Sequence, residues 1–561
     1  MLRNIVIKSI QNSTGIKDIE VFVPENEDFG DFSTNIAMVL AKKKDKDLKV
    51  VSGKLLNSLQ NDNELERYFK KIDLVGGFIN FWIKDELLID ELKAINLKKD
   101  MYGREFVGKD KVVVIDYSAP NIAKRFSIGH LRSTIIGQAL YNLYDFLGYK
   151  VIGDNHLGDW GTQFGVLLAE IEIQKANVDR LSIDDLEKMY VNFHKRQEND
   201  PKLHNKAKEW FKKLEEGDKK ARKIWNKTIE LSLNEFNKIY DLLGVKIDYA
   251  YGESFYEDKM VEVVQELKEK GITKKSKGAW IVEYKDLPPA MILKSDGTTT
   301  YFTRDLATIK YRLANWNPDI FIYEVGSDQT LHFRQLFEAV RLLGWIKNQE
   351  LKHVGHGLYR LKEGKMSTRK GTTIKLEAIL DASIRKAREI IEESETSRGL
   401  GKEEINDVSN KVGIGAIKYF DLMHQPSSDI VFDWNKVFVL EGNSGPYLQY
   451  TFARTNSILG KSKYNGNSFK DENIKLNNGE ISVLRMISKF SNYLLLASES
   501  CSPNILCSYL FGLAQKYNTF YNNHKIIDGE NEEFRVLLTK SVGQILKNGL
   551  NILGIETPTR M

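Results

Sequence analysis

At 561 residues with two cysteines, the chain is too long for a single core and too poor in sulfur for a disulfide framework or a Cys/His zinc cluster. A hydrophobic fraction of 42% with 28% charged residues is ordinary for a globular protein, no apolar run reaches membrane-span length, and Met1-Leu-Arg-Asn-Ile-Val lacks a signal peptide's apolar core. The net charge of +5 is compatible with an acidic polymer as partner without demonstrating one; composition implies three or four domains, no membrane and a reducing cytoplasm, and leaves function open.

In chain order, residues 1–105 read as a small α/β module. Pro24–Asn35 is turn-rich, with Ser33 or Thr34 placed to cap a helix through Ile36, Met38, Val39 and Leu40. Gly76-Gly-Phe-Ile-Asn-Phe-Trp-Ile83 alternates like a strand after a turn, with Phe78 and Phe81 on different faces. Val112-Val-Val-Ile115 is a β-branched run expected in a buried parallel strand. Leu131, Ile135, Ala139, Leu143 and Leu147 recur every four residues, as on one face of a helix, until Gly148 stops it and Val151 begins a second strand. This βαβ pattern puts the loop Tyr117–Thr134 at the carboxyl edge of a sheet, where open α/β sheets bind ligands.

From about Leu168 to Tyr284 the chain is rich in Lys and Glu at helical spacing, as in Leu186–Phe193 and Trp225–Leu243. Met291–Leu293 and Asp319–Val325 are expected to resume the sheet, followed by His353–Leu358 and a basic, Gly-terminated loop, Lys365-Met-Ser-Thr-Arg-Lys-Gly371. Beyond about Leu376 the spacing is helical through Ile405–Leu422, Tyr447–Leu459, Ile481–Leu496 and Leu506–Phe520, with an Asn-, Lys- and Gly-rich surface loop over 461–479.

The Tyr117–Thr134 loop carries chemistry. Gly129, lacking a Cβ, lets a flat ring or phosphate approach the backbone. His130 lies at a helix start, where free N–H groups and the dipole favour an anion, and Lys124 and Arg132 add positive charge. Alone, a Gly-His at a helix start is an ordinary surface feature. Its pairing with the downstream Lys365 loop is what points to a split nucleotide site.

These two loops resemble the signature pair of the class I aminoacyl-tRNA synthetases, and the surrounding text is similar to the arginyl family in particular. Ser118-Ala-Pro-Asn-Ile-Ala-Lys124, Gly129-His-Leu-Arg-Ser-Thr134, Asp154-Asn-His-Leu-Gly-Asp-Trp-Gly-Thr-Gln-Phe-Gly165, Tyr301-Phe-Thr-Arg-Asp-Leu-Ala307, Val325-Gly-Ser-Asp-Gln329 and the terminal Thr557-Pro-Thr-Arg-Met561 carry the resemblance.

The resemblance implies an α/β fold: a class I Rossmann-like nucleotide-binding domain over 106–375, with a helical insertion at about 168–284. It implies a small amino-terminal α/β domain over 1–105 that meets the tRNA elbow, and an all-α anticodon-binding bundle over 376–561. The implied activity is ATP-dependent arginine activation and transfer to tRNA(Arg) by a cytoplasmic monomer, with Mg²⁺ entering alongside ATP and no zinc.

Carried over residue by residue, His130 and Lys365 act on the phosphates, and Ser127, Gly129, Met366 and Ser367 complete the ATP site. Ser127 stands where the first signature usually has histidine, and Thr368 where a second lysine is expected; Lys124 stands at the position thought to substitute. Arg125 replaces the family's usual proline, which would loosen the loop. Asp305 offers a bidentate acceptor to a guanidinium, whose planar fork lysine does not reproduce, and Tyr301 lies four residues earlier, on the same face of a helix. Asn121, His156 and Gln329 are further implied arginine contacts, and Asp116 stands where a family glutamate meets the α-amino group. For tRNA, the resemblance assigns Phe78 and Asn80 to a D-loop base, and Tyr447, Tyr450, Arg454, Phe520, Tyr521 and Met561 to the anticodon. The replacements leave two other readings open: a tRNA-binding relative without catalysis, and a class I synthetase for another amino acid.

Overall fold

The computed structural model describes residues 2–24, 26–361, 364–365, 375–394, 399–464 and 474–561, with Leu361, Gly364 and Lys365 described by their backbone. Met366, Ser367 and Thr368 lie outside the described residues, as do positions 465–473 of the expected surface loop.

The amino-terminal part is built on one apolar strand. β1 (Phe32–Thr34), β2 (Phe69–Val75) and β3 (Phe78–Ile83) form an antiparallel sheet with β3 central. Residues 79–83 of β3 are all buried, covered by α1 (Leu2–Thr14), α2 (Ile36–Lys44), α3 (Leu48–Gln60) and α4 (Asn63–Tyr68). The cap of α2 is Asn35; Ser33 and Thr34 belong to β1, and Thr34 contributes its hydroxyl as acceptor for the Ile36 N–H at 3.3 Å. α5 (Asp85–Lys98) leads onward.

The central sheet is parallel, in the order β10 (Glu350–His356), β9 (Ile320–Gly326), β4 (Val112–Asp116) and β5 (Lys150–Asp154). β4 (Val112–Asp116) and β5 (Lys150–Asp154) are joined by α6 (Ile128–Phe146), the βαβ unit expected from the spacing. All five residues of the four-residue repeat are buried, but so are Arg132, Ser133, Thr134 and Gln138. The helix is enclosed because carboxyl-terminal helices cover its second side.

α7 (Thr162–Gln174), α8 (Ile183–Gln197), α9 (Pro201–Glu215) and α10 (Lys219–Leu243) form the helical segment that follows. α11 (Met260–Glu269) precedes a small antiparallel sheet of β6 (Thr273–Ser276), β7 (Ala279–Val282) and β8 (Ala290–Leu293). Met291–Leu293 therefore belongs to this separate sheet, paired with β7, and the parallel sheet resumes only after α12 (Tyr301–Trp316). β9 (Ile320–Gly326), α13 (Thr330–Leu342) and β10 (Glu350–His356) complete it. β11 (Tyr359–Leu361) and β12 (Gly364–Lys365) then form a hairpin.

α14 (Leu376–Glu393), α15 (Lys402–Leu422), β13 (Ile430–Val431), which pairs with β11, α16 (Trp434–Val437) and α17 (Gly445–Lys461) follow. The expected helix over Ile481–Leu496 is two, α18 (Asn478–Ile487) and α19 (Phe490–Glu499), broken at Ser488 and Lys489. Lys489 is buried there near Asp31 and Glu27 of the amino-terminal part. α20 (Pro503–Asn523) is followed by α21 (Glu532–Ile552), so widely buried that no single apolar stripe marks it. No helix among the described residues is long and apolar enough to cross a membrane.

Candidate active site

β4 ends at Asp116, and the chain enters the signature loop in left-handed backbone: Ser118, Ala119 and Ala123 have φ of 73°, 41° and 63°. Such conformations cost non-glycine residues about 1–3 kcal/mol each and persist only where the surroundings over-determine them. Here the Ser118 N–H donates to Ser133 Oγ at 2.9 Å, and its hydroxyl bonds Thr134 Oγ1 and the Tyr240 hydroxyl at 2.9 and 2.8 Å. The Ala119 N–H donates to Asn155 Oδ1 at 3.0 Å, and the Ala123 N–H to Ser232 Oγ at 2.9 Å. Thus α6, the loop after β5, and α10 hold the strained turn together.

Ser127 caps α6, and its N–H donates to His130 Nδ1 at 3.1 Å. Because Nδ1 accepts, the ring proton of a neutral His130 sits on Nε2. Burial, then the nearby Lys124 and His356, push the His130 pKa down to about 4, so the ring is a neutral donor at physiological pH. A Cβ added at Gly129 would meet only Ser127 Oγ, at 3.5 Å, leaving that side open. Lys124 Nζ lies 5.4 Å from the Tyr190 ring centroid.

The chain that enters α14 lies against the signature loop. Lys375 bridges Ser127 in an antiparallel pairing, and the Leu376 N–H donates to the Phe126 carbonyl at 3.1 Å. Arg125 ion-pairs with Asp184, Glu235 and Glu377, while Lys375 Nζ reaches Asp184 at 3.1 Å. Replacement of proline by Arg125 therefore anchors this loop instead of loosening it. The backbone of Lys365 pairs with Arg360 across the β11–β12 hairpin.

All six predicted arginine contacts, Asp116, Asn121, His156, Tyr301, Asp305 and Gln329, line one cavity of about 500 Å³ at the carboxyl edge of the sheet. Tyr301 and Asp305 stand one turn apart on α12. Asp305 Oδ2 is 2.6 Å from His332 Nε2. Asp116 Oδ2 accepts from Arg312 Nη2 at 2.6 Å, and the same nitrogen donates to Asp154 Oδ2 at 2.8 Å. Arg312 is completely buried; one guanidinium thus fixes the ends of β4 and β5, although burial still pushes the Asp154 carboxyl up. His156 packs against the Tyr256 ring at 5.4 Å.

The cavity also contains residues that the sequence reading did not assign: Glu253, Arg304, Asp328 and His332. Arg304 pairs with Glu253 at 3.2 Å, and its Nε donates to Glu257 Oε1 at 3.1 Å. Burial pushes Glu253 up to about 8, with Arg304 pulling down and Asp305, Asp159 and Glu257 adding to the rise. Arg304 and Arg312 lie eight residues apart on α12, a helical-face signal, but the carboxylate partners of Arg312 are 158 and 196 residues away. No local pattern identifies them.

The implied anticodon residues divide. Tyr450, Arg454, Tyr521 and Met561 line a second cavity, of about 620 Å³, between α17, α20 and the carboxyl-terminal residues. The Arg454 guanidinium lies 4.9 and 5.0 Å from the Tyr450 and Tyr521 rings and donates to Asn518 Oδ1 at 2.6 Å. Tyr447 sits behind this wall, its hydroxyl accepting from Asn518 Nδ2 at 2.9 Å. Phe520 is buried in the bundle, stacked on His524 at 5.0 Å, because one residue along α20 turns it away from Tyr521. Phe78 and Asn80 line neither cavity: Phe78 packs edge-on against Phe22, and Asn80 is buried with its Nδ2 donating to the Phe78 carbonyl at 3.4 Å. Among the described residues, no group of three or more His, Cys, Asp or Glu is placed to hold a metal ion.

Three family models match the chain: "tRNA synthetases class I (R), catalytic domain" over residues 91–434, "DALR anticodon binding domain" over 448–561 and "Arginyl tRNA synthetase N terminal domain" over 1–83. An arginine–tRNA ligase of Clostridioides difficile is 40% identical over 547 residues, covering 96% of this chain and 95% of that protein. One from Halothermothrix orenii is 38% identical over 562 residues, covering 98% and 97%. The crystal structure of an arginyl-tRNA synthetase from Plasmodium falciparum superposes with a TM-score of 0.86 at 28% identity, covering 100% of this chain and 98% of that one.

Proposed function

The chain belongs to the arginyl family of class I aminoacyl-tRNA synthetases, and from that premise we propose how its residues divide the work. Its activity is arginine–tRNA ligation: arginine is activated with ATP and transferred to tRNA(Arg). A carboxylate oxygen of arginine attacks the α-phosphorus, the bond to the β,γ side breaks and pyrophosphate leaves. A ribose hydroxyl at the tRNA 3′ end then joins the activated carbonyl carbon, releasing AMP and a proton.

The arginine substrate occupies the 500 Å³ cavity. Asp305 takes the guanidinium, with Glu253 as a second carboxylate and Tyr301 beside them; Asn121, His156 and Gln329 fix the remainder. Asp116, held by Arg312, faces the α-amino group. The observation that carries this reading is the convergence of six residues from four separate segments on one carboxylate-lined cavity. A cation with a planar donor fork answers that lining better than an ammonium.

Phosphoryl transfer asks the protein for positioning and charge stabilisation. His130 donates its Nε2–H to the α-phosphate as negative charge grows there, and being neutral it needs no counter-ion in the empty site. Gly129 leaves room for the adenosine, Ser127 orients His130, and Lys124 and Lys365 supply positive charge from the two loops. Met366 and Ser367 complete the ATP loop in this reading. Mg²⁺ accompanying ATP would neutralise phosphate charge and would be held mainly by the phosphates and water; no residue of this chain is assigned to it.

Residues 1–105 are assigned to the tRNA elbow through Phe78, with Asn80 supporting its strand. Residues 106–375 carry catalysis, with the helical insertion at about 168–284, and 376–561 hold the anticodon through Tyr450, Arg454, Tyr521 and Met561. A cytoplasmic monomer fits this reading. Aminoacylation with labelled arginine against lysine as competitor, in the wild type and in Asp305→Asn, tests it. Arginine charging that Asp305→Asn severely weakens is expected; arginine affinity untouched by the substitution overturns the specificity assignment.

A further inference from the structure

The carboxylates that line the arginine cavity are not held alike. Asp116 accepts from the buried Arg312, and Glu253 pairs with Arg304, so each already faces a guanidinium of the chain itself. Asp305, the carboxylate given to the guanidinium of the substrate, is partnered by an imidazole instead: His332 Nε2 lies 2.6 Å from its Oδ2. Among the described residues, no other side chain is hydrogen-bonded or ion-paired with Asp305.

The imidazole is itself fixed in place. His332 belongs to α13, 27 residues along the chain from Asp305 on α12. Its ring makes edge-to-face contacts with Phe302 and Phe333, at centroid distances of 5.6 and 5.5 Å. Phe333 stacks in turn on His353 of β10 at 4.6 Å. Gln335 Nε2, one turn further along α13, donates to the Pro288 carbonyl at 2.8 Å, just before β8. Ring and helix are thus held from behind, while the side chains of His332 and Asp305 keep 26% and 27% of their surface exposed and both line the cavity.

The choice of partner has a chemical consequence. A guanidinium beside Asp305 would cancel its charge and compete with the substrate, whereas an imidazole donates one N–H while remaining uncharged. That N–H uses one lone pair of Oδ2. It leaves Oδ1 and the second lone pair of Oδ2 for the two parallel N–H groups of an arriving fork. A carboxylate free to turn about its Cβ–Cγ bond presents such an edge only part of the time, and one anchored at Oδ2 presents it before the substrate arrives. We propose that His332 is a positioning residue for arginine selection: it holds the Asp305 carboxylate in the orientation that accepts a guanidinium at both oxygens, and it acts on the substrate through Asp305. The proposal rests on the ligase reading for the identity of that substrate, and the experiment below separates the two.

The test is a double-mutant cycle on kcat/KM for arginine in charging assays, with His332→Ala, Asp305→Asn and the two combined, and with His332→Gln beside them. His332 borders the cavity, so its truncation enlarges an open space and leaves no void in the core. His332→Ala is expected to lower kcat/KM for arginine about tenfold, the scale of one hydrogen bond to a charged group. The loss should come through the KM for arginine, with the KM for ATP within about twofold of wild type. On the Asp305→Asn background the same truncation should cost less than about twofold, because groups that act as a unit are not additive. His332→Gln, which keeps a terminal N–H at similar reach, should recover most of the loss. A wild-type kcat/KM in His332→Ala, the full loss repeated on the Asp305→Asn background, or a parallel rise in the KM for ATP would each overturn the proposal. The last two would show that the truncation acts through the fold and not through Asp305. Isothermal titration of arginine onto the wild type and the Ala and Gln variants keeps the two readings apart. A protein that binds arginine and charges none overturns the ligase reading, and the Kd ratios of the two variants then decide the positioning role by themselves.

Discussion

The arginine pocket and the carboxyl-terminal cavity differ in the material of their walls. Asp116, Glu253, Asp305 and Asp328 face the first, with Arg304 already engaged by Glu253 and Glu257. Tyr450 and Tyr521 flank the second, with the Arg454 guanidinium near both rings. The first stands on strand ends and a strained loop, where backbone bonds and a buried ion triad set each position. The second is built on exposed helix faces and the carboxyl-terminal residues. A fixed charge pattern suits a small cation of one shape, and adaptable ring faces suit splayed bases of a large flexible partner.

The two cavities are expected to act independently, so that damage to one leaves the ligand of the other unaffected. The largest effect expected is that of Asp305→Asn, which removes the guanidinium's principal anionic acceptor; breaking such a pair costs about 3–5 kcal/mol. The kcat/KM for arginine should fall on the order of 10³-fold, while tRNA Kd by filter binding stays unchanged. His130→Ala comes next. Removing one preorganised donor to a developing oxyanion costs about 10²-fold or more in kcat. Stopped-flow single-turnover charging should show that loss with the KM for arginine nearly constant, and a shift in KM alone would contradict the role given to Nε2–H.

How much of this was legible in the sequence follows from distance along the chain. The βαβ unit around the signature loop was readable because Val112–Ile115 and the four-residue repeat of α6 are local patterns. Tyr301 and Asp305 were readable together for the same reason, one turn apart on α12. Arg312 was not, since its partners Asp116 and Asp154 sit on two other strands. Met291–Leu293 looked like a strand and is one, but strand character does not name the sheet. At the break between α18 and α19, Lys489 is buried near Asp31 and Glu27, hundreds of residues earlier, a neighbourhood no local pattern shows. Phe520 and Tyr521 are adjacent aromatics, and only the packed bundle says which one faces out.

The aromatic cavity yields a smaller effect. Tyr521→Ala removes one of two stacking faces, worth about 1–3 kcal/mol per base, so the KM for tRNA should rise roughly tenfold in charging assays. The KM for arginine should not move. If it does, the two cavities are coupled and the division drawn between them is too simple.

The smallest effect concerns protons. In the empty pocket Glu253 is pushed up to about 8, by burial first, against the pull of Arg304 and with the push of Asp305, Asp159 and Glu257. At pH 7 most molecules therefore carry a protonated Glu253. An arriving guanidinium favours the ionised form, so the bound-state pKa lies lower and binding releases a proton below pH 8. Affinity for arginine must then strengthen as pH rises toward 8 and level off above it, because the free carboxyl has already ionised there. Between pH 7 and 8 the gain is about fivefold for one proton fully released. Isothermal titration in buffers of different ionisation enthalpy measures both the Kd and the proton count. Glu253→Gln should bind more weakly, with a flat profile and no proton released. A flat wild-type profile would mean that Glu253 has the same protonation state with and without bound arginine and would overturn the proton linkage.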